Sequence, residues 1–260
     1  MDRKICFFDI DGTLLSEDGT IPRSTEDALR RAADRGHLLF VNTGRTRYIL
    51  PHELKKLPLT GMVCGCGTFI QVGETVLYHH RTSHEECVAM VREMEGWGMG
   101  AAFEQADRVS FNPRFDGHPK QQSFQRLYAS MGLVNSSTRE PDFTYDKFFA
   151  WREDDRCLPQ FRAYLGDRYG YIYRGPVFCE IVPAGCSKAT GMERLLRHYG
   201  LSREDAYAFG DSENDHAMLQ YAGTAIAMGV SHGLEDVTDF TTLPLEEGGI
   251  AYAMEHFGLI

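Results

Sequence analysis

Short apolar runs alternate with amphipathic segments along the first third of the chain. Residues 4–10 ("KICFFDI"), 37–45 ("HLLFVNTGR") and 61–70 ("GMVCGCGTFI") are largely apolar on both faces, which is typical of strands inside a parallel sheet. Residues 21–36 predict a helix between the first two strands, with Ser24 as its N-cap and Gly36 at its end. The β–α–β order predicts an α/β fold built on a doubly wound parallel sheet.

The last third of the chain returns to the same pattern. Residues 187–200 predict a helix with one apolar face, and residues 205–211 ("DAYAFGD") predict a buried strand that ends in a carboxylate. Two further short strands follow at 224–229 and 239–243, and a helix closes the chain. Residues 1–81 and 185–260 are therefore predicted to form one core domain.

Residues 82–184 have a different character. Helical patterns such as "SHEECVAMVREMEGWG" alternate with strand patterns such as "DKFFAWRE", and proline and glycine interrupt them more often. We predict an inserted α/β domain over residues 82–184, placed between two parts of the main sheet.

Composition narrows the class of protein. The chain has 260 residues, 43% hydrophobic content and 25% charged content, as in ordinary globular proteins. A formal net charge of −10 and the lack of a basic stripe argue against a nucleic-acid partner. We see no apolar run of membrane-spanning length and no signal peptide, so we expect no membrane partner and a cytoplasmic location.

Seven scattered cysteines do not form a disulfide framework. We expect a monomer or a weak homo-oligomer.

Polar residues collect where the predicted strands end. Asp9 and Asp11 follow the first strand, Thr43 follows the second, and Asp211 ends a later one. The carboxyl ends of parallel strands meet at one edge of the sheet, where ligands bind. Two carboxylates spaced two residues apart repel each other unless a cation lies between them, and a set of oxygen ligands favours Mg²⁺.

Lys188 offers a second positive charge for the same crevice. It follows Ser187 at the start of a predicted helix, where a cation opposes the helix dipole. An anion in front of this lysine would explain its position.

Four motifs in register carry a resemblance to a known family. "DIDGTLL" (9–15), "VNTGR" (41–45), "SKATGM" (187–192) and "GDSENDHAML" (210–219) resemble the motifs of the haloacid dehalogenase-like (HAD) superfamily phosphatases. The insert between the second and third motifs resembles the type IIB cap of the Cof-like branch, but only in its length, its position and its alternation of helical and strand patterns. The resemblance therefore spans both core segments and implies a HAD core with a cap domain that sets substrate specificity.

The resemblance implies an activity and two catalytic residues. The chain would be a Mg²⁺-dependent phosphatase that hydrolyses a small phosphorylated metabolite, with a sugar phosphate as the expected substrate class. Asp9 would be the nucleophile that becomes an aspartyl phosphate, and Asp11 would protonate the leaving alcohol and later activate water.

The resemblance also implies ligand sets. Phosphate binding would involve Gly12, Thr43, Gly44, Lys188 and Asn214, with backbone N–H groups around the two glycines. Mg²⁺ would be held by the Asp9 carboxylate, the Asp11 main-chain oxygen and Asp211, and Asp215 would brace this shell.

Two positions depart from the family pattern. The family usually has Asn-Gly where this chain has Cys66-Gly67, and usually has Asn where this chain has Val230. Both positions border the crevice in the family, so substrate preference is the property they put in doubt. For Cys66 we favour a packing substitution.

Other interpretations stay open at the level of sequence. A phosphomutase or phosphotransferase would use the same intermediate, although "GDSENDHAML" looks more like the hydrolase version. A non-catalytic phosphometabolite-binding protein would be expected to lack one of the key residues, and all are present. Within the insert, a solvated loop is the favoured interpretation for the leaving-group candidates Arg108, Arg114, His118 and Lys120, and Glu180 is a further candidate.

Overall fold

The computed structural model describes residues 2–229 and 233–260. Its strands are β1 Ile5–Phe8, β2 Leu38–Asn42, β3 Gly61–Cys64, β4 Phe69–Val72, β5 Thr75–His79, β6 Gly100–Glu104, β7 Val109–Phe111, β8 Asn135–Ser137, β9 Lys147–Trp151, β10 Tyr169–Gly175, β11 Phe178–Pro183, β12 Ala206–Gly210, β13 Thr224–Ala227 and β14 Phe240–Thr241. Its α-helices are α1 Arg23–Asp34, α2 His84–Gly96, α3 Pro119–Ser130, α4 Leu158–Leu165, α5 Lys188–Tyr199, α6 His216–Tyr221 and α7 Gly249–His256.

The chain divides into two compact units. The core unit comprises Met1–Gly44, Pro51–Tyr78 and Ser187–Ile260, and the insert unit comprises Arg45–Leu50 and His79–Cys186. The insert unit thus begins at His79 where the sequence placed residue 82, and it ends at Cys186 where the sequence placed residue 184. It also takes a short segment, Arg45–Leu50, that sequence assigned to the core.

The core unit is built on one sheet of eight strands in the order β14-β13-β12-β1-β2-β3-β4-β5. β1 lies between β12 and β2 and is parallel to both, with Ile5 opposite Ala206 on one side and Leu38 on the other. All four β1 side chains are buried, as expected for a strand covered on both faces. The predicted α/β class with a parallel sheet is confirmed.

The apolar stretch over residues 61–70 contains a hairpin that the sequence did not predict. The segment forms two strands, β3 and β4, which pair antiparallel with Gly61 opposite Val72. Gly65, Cys66 and Gly67 have positive φ angles, and they reverse the chain between the two strands. A run that is apolar throughout does not show where a hairpin turns, because the residues of both strands next to the turn are buried.

Helix α5 of the core unit packs closely against the sheet at a glycine. A Cβ atom added at Gly191 of α5 would lie 2.4 Å from Val63 Cγ1 on β3, so the glycine lets the helix approach the sheet.

Helix α1 begins at Arg23 after Pro22. The predicted N-cap at Ser24 is therefore wrong, because proline fixes a φ angle suited to starting the helix earlier.

The insert unit has its own six-stranded sheet in the order β10-β11-β9-β6-β7-β8. Its pairs are antiparallel except for β7 with β8. Cys87, Met90 and Met94 of α2 pack into a hydrophobic cluster with residues of this sheet such as Phe103 and Phe148.

In the part of the chain that the structure describes, every helix is too short or too polar to cross a lipid bilayer.

Candidate active site

Asp9 is held rigidly at the carboxyl end of β1. Its side chain is buried, with 3% relative exposure, and its N–H donates to the Phe209 carbonyl of β12 at 3.0 Å. The chain then turns tightly, because the Leu14 and Leu15 N–H groups both donate to the Ile10 carbonyl, at 2.9 and 2.8 Å. Asp9 therefore faces the interior of the core unit in a fixed position.

The turn after Asp9 places Asp11 and Gly12 on the surface. Gly12 has a φ of +79°, and its N–H donates to the Leu15 carbonyl at 2.9 Å. This amide is engaged within the turn, and the phosphate-binding role that the family resemblance implied for the N–H groups around Gly12 stays a prediction. Its steric role is clearer, since a Cβ atom at Gly12 would lie 2.5 Å from Asp211 Oδ2.

Lys188 is brought directly against Asp9. The residue starts α5, whose N-terminus is capped by a reciprocal pair of hydrogen bonds between Ser187 and Thr190. The Lys188 side chain is 3% exposed, and its Nζ donates to Asp9 Oδ1 at 2.6 Å and to Asp215 Oδ1 at 2.5 Å. Burial acts to lower the pKa of this lysine, but the two carboxylates outweigh burial and raise it. The ammonium therefore stays charged.

Asp211 and Asp215 come from the loop that follows β12. Asp211 Oδ1 accepts a hydrogen bond from Thr13 Oγ1 at 3.0 Å. Asp215 Oδ2 accepts from the N–H groups of Asp211 at 3.1 Å and Ser212 at 3.3 Å. Because its other oxygen binds Lys188, Asp215 orients both the loop and the lysine.

Three carboxylates meet in this crevice. One oxygen from each of Asp9, Asp211 and Asp215 lies within 4.8 Å of the others. Burial raises the pKa of Asp9 to about 7 and that of Asp211 to about 6, and the neighbouring carboxylates add to both effects while Lys188 opposes them. Buried carboxylates in excess over the lysine, with an all-oxygen donor set, fit a hard divalent cation. The Asp11 carboxylate is not one of the three.

Thr43, Gly44 and Asn214 lie at the same edge. Thr43 follows β2 and is buried, its N–H donates to the Val63 carbonyl at 2.9 Å, and its carbonyl accepts from the Cys66 N–H at 3.0 Å. Asn214 Oδ1 lies 3.4 Å from Lys188 Nζ and accepts from Ser212 Oγ at 3.1 Å. The core unit thus contains every residue that the sequence assigned to the site.

Sequence reasoning missed Asn42. Its Nδ2 donates to the Lys188 main-chain carbonyl at 3.0 Å, so it links the end of β2 to the start of α5. The available signal was an amide inside an otherwise apolar strand, directly before Thr43.

Cys66 borders the loop formed by Thr43 and Gly44. It has a φ of +55° and is the one non-glycine residue with a positive φ in the described ranges. Asparagine adopts this conformation more readily than most side chains, which gives a backbone reason for the family preference. The Sγ atom lies 3.5 Å from the position of a Cβ added at Gly44. Val230, the other departure, lies outside the described residues.

The polar candidates of the insert have partners within that unit. Arg108 pairs with Glu140 and Asp142, and His118 Nε2 lies 2.7 Å from Glu153 Oε1. Lys120 Nζ lies 4.6 Å from the Phe178 ring centroid, and Glu180 binds Lys147 and Arg174. Arg114 lies in the 3₁₀ turn Pro113–Phe115, where its main-chain N–H donates to Asn112 Oδ1.

Comparisons with known proteins identify the family of the chain. The family model of the haloacid dehalogenase-like hydrolases matches residues 6–254. YitU of Bacillus subtilis strain 168, a 5-amino-6-(5-phospho-D-ribitylamino)uracil phosphatase, is 28% identical, with 96% of each chain covered. A crystal structure of a protein from Geobacillus kaustophilus HTA426 shares 31% identity with a TM-score of 0.85, covering 100% of both chains. The subclass IIB sugar phosphatase BT4131 shares 28% identity with a TM-score of 0.81, covering 99% of this chain and 100% of that one.

The family match covers nearly the whole chain, including both core segments and the insert. The membership that the four motifs implied is confirmed. The chain belongs to the haloacid dehalogenase-like hydrolase family.

Proposed function

We propose that the protein is a Mg²⁺-dependent phosphatase that hydrolyses a small phosphorylated metabolite, with sugar phosphates as the substrate class. The observation that carries the proposal is the buried Lys188 ammonium, bonded to both Asp9 and Asp215 beside Asp211. This arrangement presents a carboxylate and a positive charge side by side, which phosphoryl transfer requires. The names of YitU and BT4131, two phosphatases, support the same reaction class.

Asp9 begins the reaction as the nucleophile. Lys188 binds Asp9 Oδ1 and orients the carboxylate, whose oxygen forms a bond to phosphorus as the bond from phosphorus to the leaving oxygen breaks. The electron pair goes to the leaving oxygen, and Asp11 gives it a proton. Asp11 suits this role because it is exposed beside the buried Asp9.

Water completes the reaction by attacking phosphorus. Asp11, now ionised, takes the proton from this water, and the bond between Asp9 and phosphorus breaks. Inorganic phosphate leaves, and both aspartates return to their starting states. Over a complete cycle Asp11 gives one proton to the leaving oxygen and takes one from water, and Asp9 exchanges none.

Charge stabilisation is divided among the remaining residues. Phosphoryl oxygens would be contacted by Lys188, Thr43, Asn214 and the backbone N–H groups around Gly12 and Gly44. Asp215 holds the lysine in place. Mg²⁺, held by Asp9, Asp211 and the Asp11 main-chain oxygen, would neutralise charge at the phosphoryl group.

We also propose that the insert unit selects the organic part of the substrate, and that the protein acts as a monomer or weak oligomer. The subclass of BT4131 supports the first point. We propose a cytoplasmic, reducing compartment because the seven cysteines are scattered along the sequence without the spacing of a disulfide framework.

A phosphate-release assay over a panel of phosphomonoesters tests the proposal. We expect turnover of sugar phosphates with Mg²⁺ and its loss in EDTA, restored by excess Mg²⁺. Full activity in EDTA would contradict the metal requirement. Transfer of the phosphoryl group to a second sugar, without release of phosphate, would instead support a phosphomutase.

A further inference from the structure

Asn42 is a fully buried amide in the last position of β2, with 0% relative exposure. Its Nδ2 donates to the Lys188 main-chain carbonyl at 3.0 Å and lies 3.2 Å from Met218 Sδ. Both neighbours are acceptors, so the opposite orientation of the amide would bring oxygen against oxygen and sulfur. The hydrogen bonding therefore determines which way the amide points.

The Asn42 side chain carries an energetic cost. Its Oδ1 atom is buried and has no hydrogen-bond partner among the described residues. A buried carbonyl without a partner is destabilising, and an apolar side chain of the same volume avoids this cost. Stability alone therefore does not account for an amide at this position.

The Asn42 amide is bonded to the residue that carries the active-site ammonium. Lys188 is the first residue of α5, and its ammonium contacts both Asp9 and Asp215. The residue after Asn42 is Thr43, whose backbone binds Val63 on β3. Asn42 thus ties the residue that carries the ammonium to the strand that carries Thr43.

We propose that Asn42 is a positioning residue, which fixes the main chain of Lys188 so that its ammonium holds Asp9 in the reactive orientation. The inference rests on the proposed phosphatase function. Its physical basis is that small displacements of a catalytic group cost large factors in rate. The amide acts through Lys188.

Two variants separate this role from packing. Asn42→Leu keeps a branched side chain, of larger volume, and removes the donor, whereas Asn42→Ala removes the donor and most of the side chain. We expect kcat for a sugar phosphate to fall by about 10-fold or more in both variants, with KM changing by less than about threefold. We expect the thermal midpoint of Asn42→Ala to fall by about 2 to 4 °C or more, and kcat to be reduced to a similar extent in both variants whatever their thermal midpoints.

Gln121 of the insert unit provides a matched control. It is also fully buried, its Nε2 donates to the Asn112 carbonyl at 3.1 Å, and its Oε1 has no partner in the described residues. Gln121→Leu likewise replaces a fully buried amide by an apolar side chain, in the other unit of the chain, and it also removes the bond from Nε2 to Asp116 Oδ1 at 2.9 Å. We expect it to leave kcat within about twofold of the wild type.

The outcomes distinguish this inference from the function on which it rests. A wild-type chain that released no phosphate would overturn both. An active wild type together with a fully active Asn42→Leu would overturn the positioning role alone. Activity that merely followed the thermal midpoint across the variants would assign Asn42 to packing and would also overturn the role.

Discussion

Asp9 and Asp11 are two residues apart, and their surroundings differ sharply. Asp9 is buried and bonded to the Lys188 ammonium, whereas Asp11 is exposed at the following turn. When a cation holds one oxygen of a buried carboxylate, the other oxygen has a fixed orientation, as a nucleophile requires. An exposed carboxyl can exchange protons with solvent and substrate, as an acid and base requires.

Substitution of Asp11 tests this division at the level of one residue. Asp11→Asn should lower kcat for sugar phosphates by about 10²-fold or more, because their alcohols leave poorly without a proton. The loss should be much smaller for nitrophenyl phosphate, whose leaving group needs little protonation. Steady-state rates on both substrates measure the difference.

Asp34→Asn is the matched control, since Asp34 is an exposed aspartate at the end of α1. It should leave both rates unchanged. Equal losses on the two substrates in Asp11→Asn would argue against a proton-transfer role.

At the scale of elements, the turn after β1 determines where Asp211 can lie. Gly12 combines a φ of +79° with a Cβ position 2.5 Å from Asp211 Oδ2. Gly12→Ala should therefore displace the Asp211 carboxylate and destabilise the fold by about 1 to 3 kcal/mol. We expect the Mg²⁺ concentration for half-maximal activity to rise about 10-fold or more, measured by Mg²⁺ titration.

Gly19 separates backbone strain from the loss of space. Its φ is +80°, but a Cβ atom there would meet no atom within 4 Å. Gly19→Ala should cost a similar amount of stability and leave the Mg²⁺ requirement unchanged. If both variants changed the requirement equally, the contact with Asp211 would not be the cause.

The sequence could predict features that depend on strand alignment, but not features that depend on side-chain rotamers or local backbone geometry. Asp9, Thr43 and Asp211 were predictable neighbours, because parallel strands align their carboxyl ends whatever the side-chain details. The Asn42 bond to Lys188 was not predictable, because it joins residues 146 positions apart through one chosen rotamer. The engaged Gly12 amide and the hairpin turn at Cys66 likewise depend on local backbone geometry that apolar patterning does not specify.

At the scale of the whole molecule, the buried aspartates make both the stability of the fold and its affinity for Mg²⁺ depend on pH. Burial raises the pKa of Asp9 to about 7 and that of Asp211 to about 6. The folded, metal-free protein therefore holds protons that the unfolded chain releases above about pH 4. The stability contributed by these groups is present at low pH and is lost as pH rises through about 6 to 7.

Mg²⁺ should reverse this loss, because its ligands must be deprotonated. We expect the rise in thermal midpoint caused by Mg²⁺ to be several degrees at about pH 8 and much smaller at about pH 5.5. Thermal unfolding with Mg²⁺ or EDTA at both pH values measures it. Asp211→Asn should reduce the shift at pH 8, and a larger shift at pH 5.5 than at pH 8 would contradict the assignment.

The two units differed in how far the sequence could describe them. The core pattern of buried strands and helices predicted the α/β class, since long apolar runs indicate a doubly covered sheet. In the insert, β10 has exposed and half-buried residues throughout, and the strand order places β9 between β6 and β11. Such an order is determined by long-range pairing, so composition and periodicity did not predict it.

The central claim is that Asp9 accepts the phosphoryl group. Rapid acid quenching of the enzyme during turnover, followed by peptide mass spectrometry, tests it most directly. We predict one additional phosphoryl mass on the peptide that contains Asp9, which chases to inorganic phosphate, and neither label nor phosphate release in Asp9→Asn. A phosphoryl group on another residue, or phosphate release by Asp9→Asn at the wild-type rate, would contradict the account.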